Sequence, residues 1–131
     1  MTTRYVFDAS EALKIVGIRD ADHVRDERVL LRALAPVNLI RFAVLNAASV
    51  NENQIRDLNS RVFWFPAHEV ARGDYIRVYT RNGRQNIHGG KFSGLSTTYH
   101  DFFWDIPAPI WSGESSAVVL LEIAAWDAKR S

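Results

Sequence analysis

The sequence predicts an all-β protein, an antiparallel β-sandwich, on two observations. Short apolar runs rich in β-branched residues recur along the chain, and residues typical of turns separate them. Apolar residues make up 47% of the 131 positions and charged residues 24%, as in ordinary globular proteins. A chain of this length can bury one hydrophobic core, so residues 1–131 are predicted to form a single domain.

The first half of the chain contains three predicted strands. LKIVGI (13–18) is apolar and partly β-branched, and it ends in a polar stretch rich in Asp and Arg. RVLLRAL (28–34) and LIRFAVL (39–45) follow, and alternation in the second would place three side chains on one face: Ile40, Phe42 and Val44. Residues 1–12 are predicted to be either flexible or paired at a sheet edge.

The second half continues the strand-and-turn pattern. Residues 46–60 are polar and rich in Asn, which favours a loop with at most a short helical turn. RVFWFP (61–66) is a predicted strand stopped by its proline, and ARGDYIRVYTRNG (71–83) contains a turn, an alternating strand and a second turn. HGGKFSGLSTTYH (88–100) is predicted to be a loop or an irregular edge. AVVLLEIAAW (117–126) is predicted to be a final strand deep in a sheet.

The order of several segments resembles the lamin-tail domain, an immunoglobulin-like β-sandwich of nuclear lamins and of many bacterial proteins. The segments are LKIVGIRDAD, ERVLLRALAPVNLIRFAVLNA, VFWFPAHEVARGDYIRVYT and FFWDIPAPIWSGESSAVVLLE. The matching positions are Phe65-Pro66, Gly73, Ile76 to Thr80, Trp104, Trp111 and Gly113-Glu114. The chain departs from the family pattern at Ile40 to Phe42, where the family usually has Gly-Trp, and in the turn at Ser112.

The resemblance implies an immunoglobulin-like sandwich of about seven to nine short strands and an adapter role, in a stand-alone protein of the bacterial type. It also implies that Trp104 and Trp111 are structural plugs that close one end of the sandwich. The alternative for this aromatic stretch is a cage that leaves rings exposed for a partner, drawn from Tyr99, Phe102, Phe103 and Trp104.

One strand carries the candidate partner-binding residues. The net charge is only +1, which does not by itself indicate nucleic-acid binding. Alternation would place Tyr75, Arg77, Tyr79 and Arg81 on one side of the strand, with Arg84 just beyond it. We call these five residues the Arg/Tyr face. They could bind a protein, or an anion or nucleic acid with arginines on phosphates and tyrosines on bases. They could also form a plain solvated sheet face whose arginine stems cover the rings.

No catalytic residue, metal site or cofactor site is predicted. His23, His68, His88 and His100 lack the paired spacing of zinc ligands, and the chain has no cysteine. Ser93, Ser96, His100 and Asp101 could be drawn as a hydrolase constellation, but no G-x-S-x-G motif supports it. HGGKFSG lacks the spacing of a phosphate loop. A small enzyme with a site carried on loops remains an alternative, because one sequence does not reveal such a site.

The favoured function is therefore a non-catalytic protein-interaction or scaffolding module. The partner would be another protein or a second copy of the chain, and the first surfaces to test are the Arg/Tyr face and residues 46–60. The absence of cysteine favours a reducing cytoplasm. No signal peptide or membrane-spanning apolar run is visible, so a soluble protein without a membrane partner is expected.

Overall fold

A computed structural model describes residues 10–47, 49–50, 55–56, 61–111 and 117–131 of the chain. Its twelve strands are β1 (Leu13–Arg19), β2 (Arg28–Ala33), β3 (Val37–Asn38), β4 (Phe42–Ala47), β5 (Ser49–Val50), β6 (Ile55–Arg56), β7 (Arg61–Trp64), β8 (Glu69–Val70), β9 (Tyr75–Tyr79), β10 (Asn86–Phe92), β11 (Leu95–Phe103) and β12 (Ala117–Glu122). Four of these have only two residues, so eight longer strands build the two layers described below.

The strands form two main sheets, which confirms the predicted all-β sandwich. A five-stranded sheet has the order β1-β2-β9-β11-β10, and a three-stranded sheet has the order β12-β4-β7. Two short ribbons, β3-β8 and β5-β6, complete the described pairing. The larger sheet is mixed. β11 lies between β9 and β10, and it pairs with β9 in parallel. The expectation of a purely antiparallel sheet fails at this one pair.

The core lies between the two sheets and is built by alternation along their strands. On the larger sheet, Val29 and Leu31 of β2 and Ile76 and Val78 of β9 are fully buried. The opposite layer and the ends of the strands contribute Phe42, Val44, Phe65 and Phe102 to the same cluster. Burying each side chain of this size stabilises the fold by about 1.5–3 kcal/mol.

The prediction that Ile40 shares a face with Phe42 and Val44 is wrong. Residues Leu39–Arg41 form a 3-10 turn before β4. The side chain of Asn38 caps this turn, because its Oδ1 accepts a hydrogen bond from the backbone N–H of Ile40 at 3.1 Å. Ile40 is consequently 38% exposed, whereas Phe42 and Val44 are buried.

Residues 88–100, predicted to be a loop or an irregular edge, lie at the edge of the larger sheet but are regular. β10 and β11 form a regular hairpin of seven residue pairs. The connecting residues Ser93 and Gly94 both have positive φ, 49° and 80°, which is the geometry of a tight two-residue hairpin turn.

Two further expectations also change. β12 ends at Glu122 and lies at the edge of the three-stranded sheet, not deep within it. In the predicted 46–60 loop, β4 extends to Ala47, and β5 and β6 pair with each other. Residues 48, 51–54 and 57–60 lie outside the described residues, as do 1–9 and 112–116.

Candidate functional site

The Arg/Tyr face lies on the outer side of the five-stranded sheet. Alternation along β9 turns Ile76 and Val78 into the core, and Thr80 beyond the strand is also buried. Tyr75, Arg77 and Tyr79 therefore point away from the core. Tyr75 is nevertheless only 6% exposed, because the ring of Phe92 stacks on it at a centroid distance of 4.3 Å.

Two arginines of this face, Arg77 and Arg81, already have partners within the protein. Arg77 donates through Nε and Nη2 to the two carboxylate oxygens of Asp101 at 2.7 and 2.8 Å. Burial alone would lower the pKa of Arg77, but the hydrogen bonds and charge of Asp101 outweigh it and hold that pKa above its usual value. Arg81 donates through Nε to the backbone carbonyl of Arg25 at 2.6 Å. A phosphate group would have to displace these partners.

The guanidinium groups also cover the aromatic rings. Arg77 lies 4.1 Å from the ring centroid of Tyr99, and Arg81 lies 5.0 Å from those of Tyr79 and Phe103. Arg84, the last member of the candidate set, is exposed beyond the strand. These contacts favour the interpretation in which arginine stems cover the rings of a solvated sheet face.

A hydrogen-bonded chain of four polar side chains links the residue before β9, the middle of β11 and the segments before β8 and β10. His100 Nε2 lies 2.7 Å from Asp74 Oδ2, and His100 Nδ1 lies 2.8 Å from His68 Nε2. Gln85 Nε2 lies 3.3 Å from His68 Nδ1. The sequence alone does not indicate the contact between His68 and His100, because 32 positions separate them and only the fold brings them together.

With both imidazole rings neutral, the carboxylate of Asp74 sets the direction of these hydrogen bonds. An ionised Asp74 only accepts, so His100 donates from Nε2 and keeps a lone pair on Nδ1. His68 then donates from Nε2 to His100, and its own Nδ1 accepts from the amide of Gln85. Burial lowers the pKa of His68 from its usual 6.5, and the adjacent His100 lowers it further.

Glu27 is a buried acid that sequence reasoning missed. Its side chain is 1% exposed and accepts four hydrogen bonds. The donors are the backbone N–H groups of Asp22, Ile110 and Trp111 and the hydroxyl of Thr80. The carboxylate thus joins the β1–β2 connection, the end of β9 and the segment before β12. Its role is structural, because its hydrogen-bonding oxygens face protein donors and not solvent.

Trp104 and Trp111 pack against the core of the sandwich. Trp111 is 4% exposed and belongs to the core cluster, and the half-buried Trp104 packs against the same cluster. Their ring centroids lie 6.2 Å apart. Two members of the alternative cage, Tyr99 and Phe102, are buried, which favours the structural plug over an exposed cage.

The outer face of the three-stranded sheet is apolar and partly open to solvent. The strand register places six apolar side chains there: Ala43, Leu45, Val62, Trp64, Val119 and Leu121. Val62 is 53% exposed, Trp64 42% and Leu121 43%. Trp126 packs edge-on against Trp64 at a centroid distance of 5.2 Å and is itself 63% exposed. We call these seven residues the apolar face.

A cleft of about 350 Å³ opens beside the apolar face, between β7 and the end of β11. Its lining residues are Phe63, Trp64, Pro66, Gly83, Gln85, Phe102 and Phe103. Gln85 belongs to the hydrogen-bonded chain as well, and Trp64 belongs to the apolar face. The cleft therefore lies between the two features.

The described residues bring together neither of the rejected chemical sites. His100 pairs with Asp74 instead of Asp101, and Ser93 lies in the hairpin turn. Within the described ranges, no group of three or more His, Cys, Asp or Glu side chains could hold a metal ion. The same ranges contain no helix long and apolar enough to cross a membrane. Comparison with protein-family models, curated proteins and solved structures found no match, so membership of the lamin-tail family stays a prediction.

Proposed function

We propose that the chain is a non-catalytic protein-interaction module that binds its partner through the apolar face. The observation that carries this proposal is the continuous apolar composition of that face together with its exposure. Isolated exposed apolar residues are common in proteins, but a group of them on one face is typical of a binding surface, and here Val62, Trp64, Leu121 and Trp126 are exposed together. Trp64 and Trp126 add two large rings, and tryptophan is enriched among the residues that dominate binding energy.

The Arg/Tyr face has less support as the partner-binding surface. Its rings are covered, and the guanidinium of Arg77 is held by Asp101 at 2.7 Å. A partner would have to break these contacts before making its own. The nucleic-acid alternative has less support for the same reason, since phosphate binding needs arginines that can be reached. A cytoplasmic location and a scaffolding role remain parts of the proposal.

The experiment compares two pairs of charge substitutions at exposed apolar positions. Val62→Glu with Leu121→Glu alters the apolar face. Ile87→Glu with Leu95→Glu makes the same change on the β10–β11 hairpin, where these side chains are 56% and 74% exposed. All four positions are exposed, so each double variant should keep its free energy of unfolding within about 1 kcal/mol of the wild type.

Sedimentation velocity over a concentration series measures self-association, and cross-linking in cell extract followed by mass spectrometry identifies other proteins that bind. We expect the apolar-face variant to lose the association that the wild type and the hairpin variant retain. A wild type that sediments as a monomer and cross-links to nothing refutes the proposal. So does association that survives in the apolar-face variant.

A further inference from the structure

The cleft beside the apolar face has the size and lining of a small-ligand site. Its volume of about 350 Å³ falls within the range of small-molecule sites in proteins. Four of its seven lining residues are aromatic, and Trp64, which is 42% exposed, offers it ring surface. Walls of this kind hold a flat ring by stacking and edge contacts.

The lining also limits the charge of the ligand. None of the residues that line the cleft carries a formal charge. A charged ligand would lose its hydration there without gaining an ion pair, which is costly. The polar side chain of the lining is Gln85, and the indole N–H of Trp64 already donates to the carbonyl of Ile40 at 2.6 Å.

The hydrogen-bonded chain determines what Gln85 can offer to a ligand. Asp74 orients His100, His100 orients His68, and the Nδ1 lone pair of His68 accepts from the amide nitrogen of Gln85 at 3.3 Å. With its nitrogen directed at His68, the atom of the Gln85 amide that can accept a hydrogen bond from a ligand in the cleft is the carbonyl oxygen. We propose that the cleft binds a neutral planar aromatic molecule that carries a hydrogen-bond donor, and that Gln85 accepts this hydrogen bond.

Protonation of His68 reverses the orientation of the Gln85 amide. A proton on Nδ1 needs an acceptor, so the Gln85 amide turns its carbonyl oxygen toward the imidazolium and withdraws it from the ligand. The charged and titratable groups around His68 are His100 on β11, Asp74 beyond it and Glu69 next to it on β8. Burial and His100 oppose the proton, whereas the carboxylate of Glu69 favours it. Ligands that donate a hydrogen bond therefore bind better when His68 is neutral.

The test uses indole and 1-methylindole, two flat probes of which only the first donates a hydrogen bond. Binding to the full chain is measured by nuclear magnetic resonance titration at two pH values. At about pH 8 His68 is neutral, and the second, lower pH is chosen below the lowered pKa of His68, which the imidazole shifts of the same samples locate. At the higher pH we expect indole to bind about fivefold more tightly than 1-methylindole, the effect of one hydrogen bond. At the lower pH the two affinities should converge.

Two variants test whether Gln85 causes the preference for indole over 1-methylindole. Gln85→Leu should keep 1-methylindole binding and lose the preference for indole, whereas Asn82→Leu, at an exposed amide outside the lining, should behave as the wild type. The apolar-face double variant should also retain the preference, so this proposal and the proposed function can fail separately. Equal affinities at the higher pH, no binding of either probe, or shift changes that map away from Gly83 and Gln85 overturn the proposal.

Discussion

Single buried polar residues carry much of the specificity of this fold. Glu27 is the clearest case, because its carboxylate accepts hydrogen bonds from three separate segments, and one donor, Ile110, lies 83 positions away. Its removal would leave the N–H group of Trp111 and the hydroxyl of Thr80 buried without the acceptor that they have in Glu27. Each unsatisfied buried donor costs about 1–3 kcal/mol of stability, and several donors would contribute to the total loss.

We expect Glu27→Ala to lower the free energy of unfolding by about 3 kcal/mol or more. Urea denaturation followed by tryptophan fluorescence measures the change. Glu11→Ala is the matched control, because Glu11 is an exposed acid near the start of β1. Equal denaturation midpoints for the two variants would show that the buried hydrogen bonds of Glu27 contribute little to stability.

Trp111 gives a second test at the same scale. The buried indole fills the core beside Trp104, so Trp111→Ala should lower the free energy of unfolding by about 3–5 kcal/mol. Trp126→Ala removes an identical side chain that is 63% exposed, and it should change stability by less than about 1 kcal/mol. Thermal unfolding of both variants makes the comparison. Similar losses would contradict the assignment of Trp111 as a structural plug.

A strand could be predicted from the sequence where the alternation of its own residues determines which side chains are buried. β9 alternates strictly, and its inward side chains, Ile76 and Val78, are fully buried as expected. The β10–β11 hairpin was missed because Gly89 and Gly90 suggest a loop. The reason for a glycine at position 90 lies on the neighbouring strand, since the ring of Tyr99 covers it and the Tyr99 hydroxyl donates to the carbonyl of Lys91 at 2.7 Å.

The two glycines of β10 should therefore respond differently to substitution. A Cβ at Gly90 would lie 2.8 Å from the ring of Tyr99, whereas a Cβ at Gly89 would meet nothing closer than 4.0 Å. We expect Gly90→Ala to destabilise the protein by about 1–2 kcal/mol, because the ring must shift. Gly89→Ala should be neutral or stabilising by about 0.5 kcal/mol. Chemical denaturation of both variants decides the matter, and the reverse order would be inconsistent with this packing.

The two outer faces of the whole sandwich differ in composition. One is the Arg/Tyr face and the other is the apolar face, and the sequence did not reveal this difference. Sequence patterns correctly placed Arg77 and Tyr79 on an outward face, but they could not show that Asp101 neutralises Arg77 from a neighbouring strand. They also could not show the apolar face, because Val62, Leu121 and Trp126 come from distant segments. Similarly, the histidines of the polar chain come together only when β11 and the segment after β7 are packed.

The same polar chain makes the stability of the whole molecule depend on pH. The pKa of His68 is lower in the folded protein than its usual 6.5, chiefly because of burial and also because of the adjacent His100. As the pH falls below about 7, the unfolded chain therefore binds a proton that the folded chain does not yet accept, and the free energy of unfolding decreases. The decrease ends once the pH has passed the lowered folded pKa, since both states are then protonated.

We expect urea midpoints of the wild type to fall between about pH 7.5 and pH 5, and the fall to be smaller in His68→Gln, which cannot titrate. His23→Gln is the control, because His23 is exposed. Asp20 does not interfere in this range, since the hydrogen bond from Arg28 holds the pKa of its carboxyl below the usual 3.8. If the urea midpoints of His68→Gln and His23→Gln change with pH in the same way, a neutral His68 is not the cause of the pH dependence of stability. The hydrogen-bond direction assigned from Asp74 to Gln85 would then lose its support.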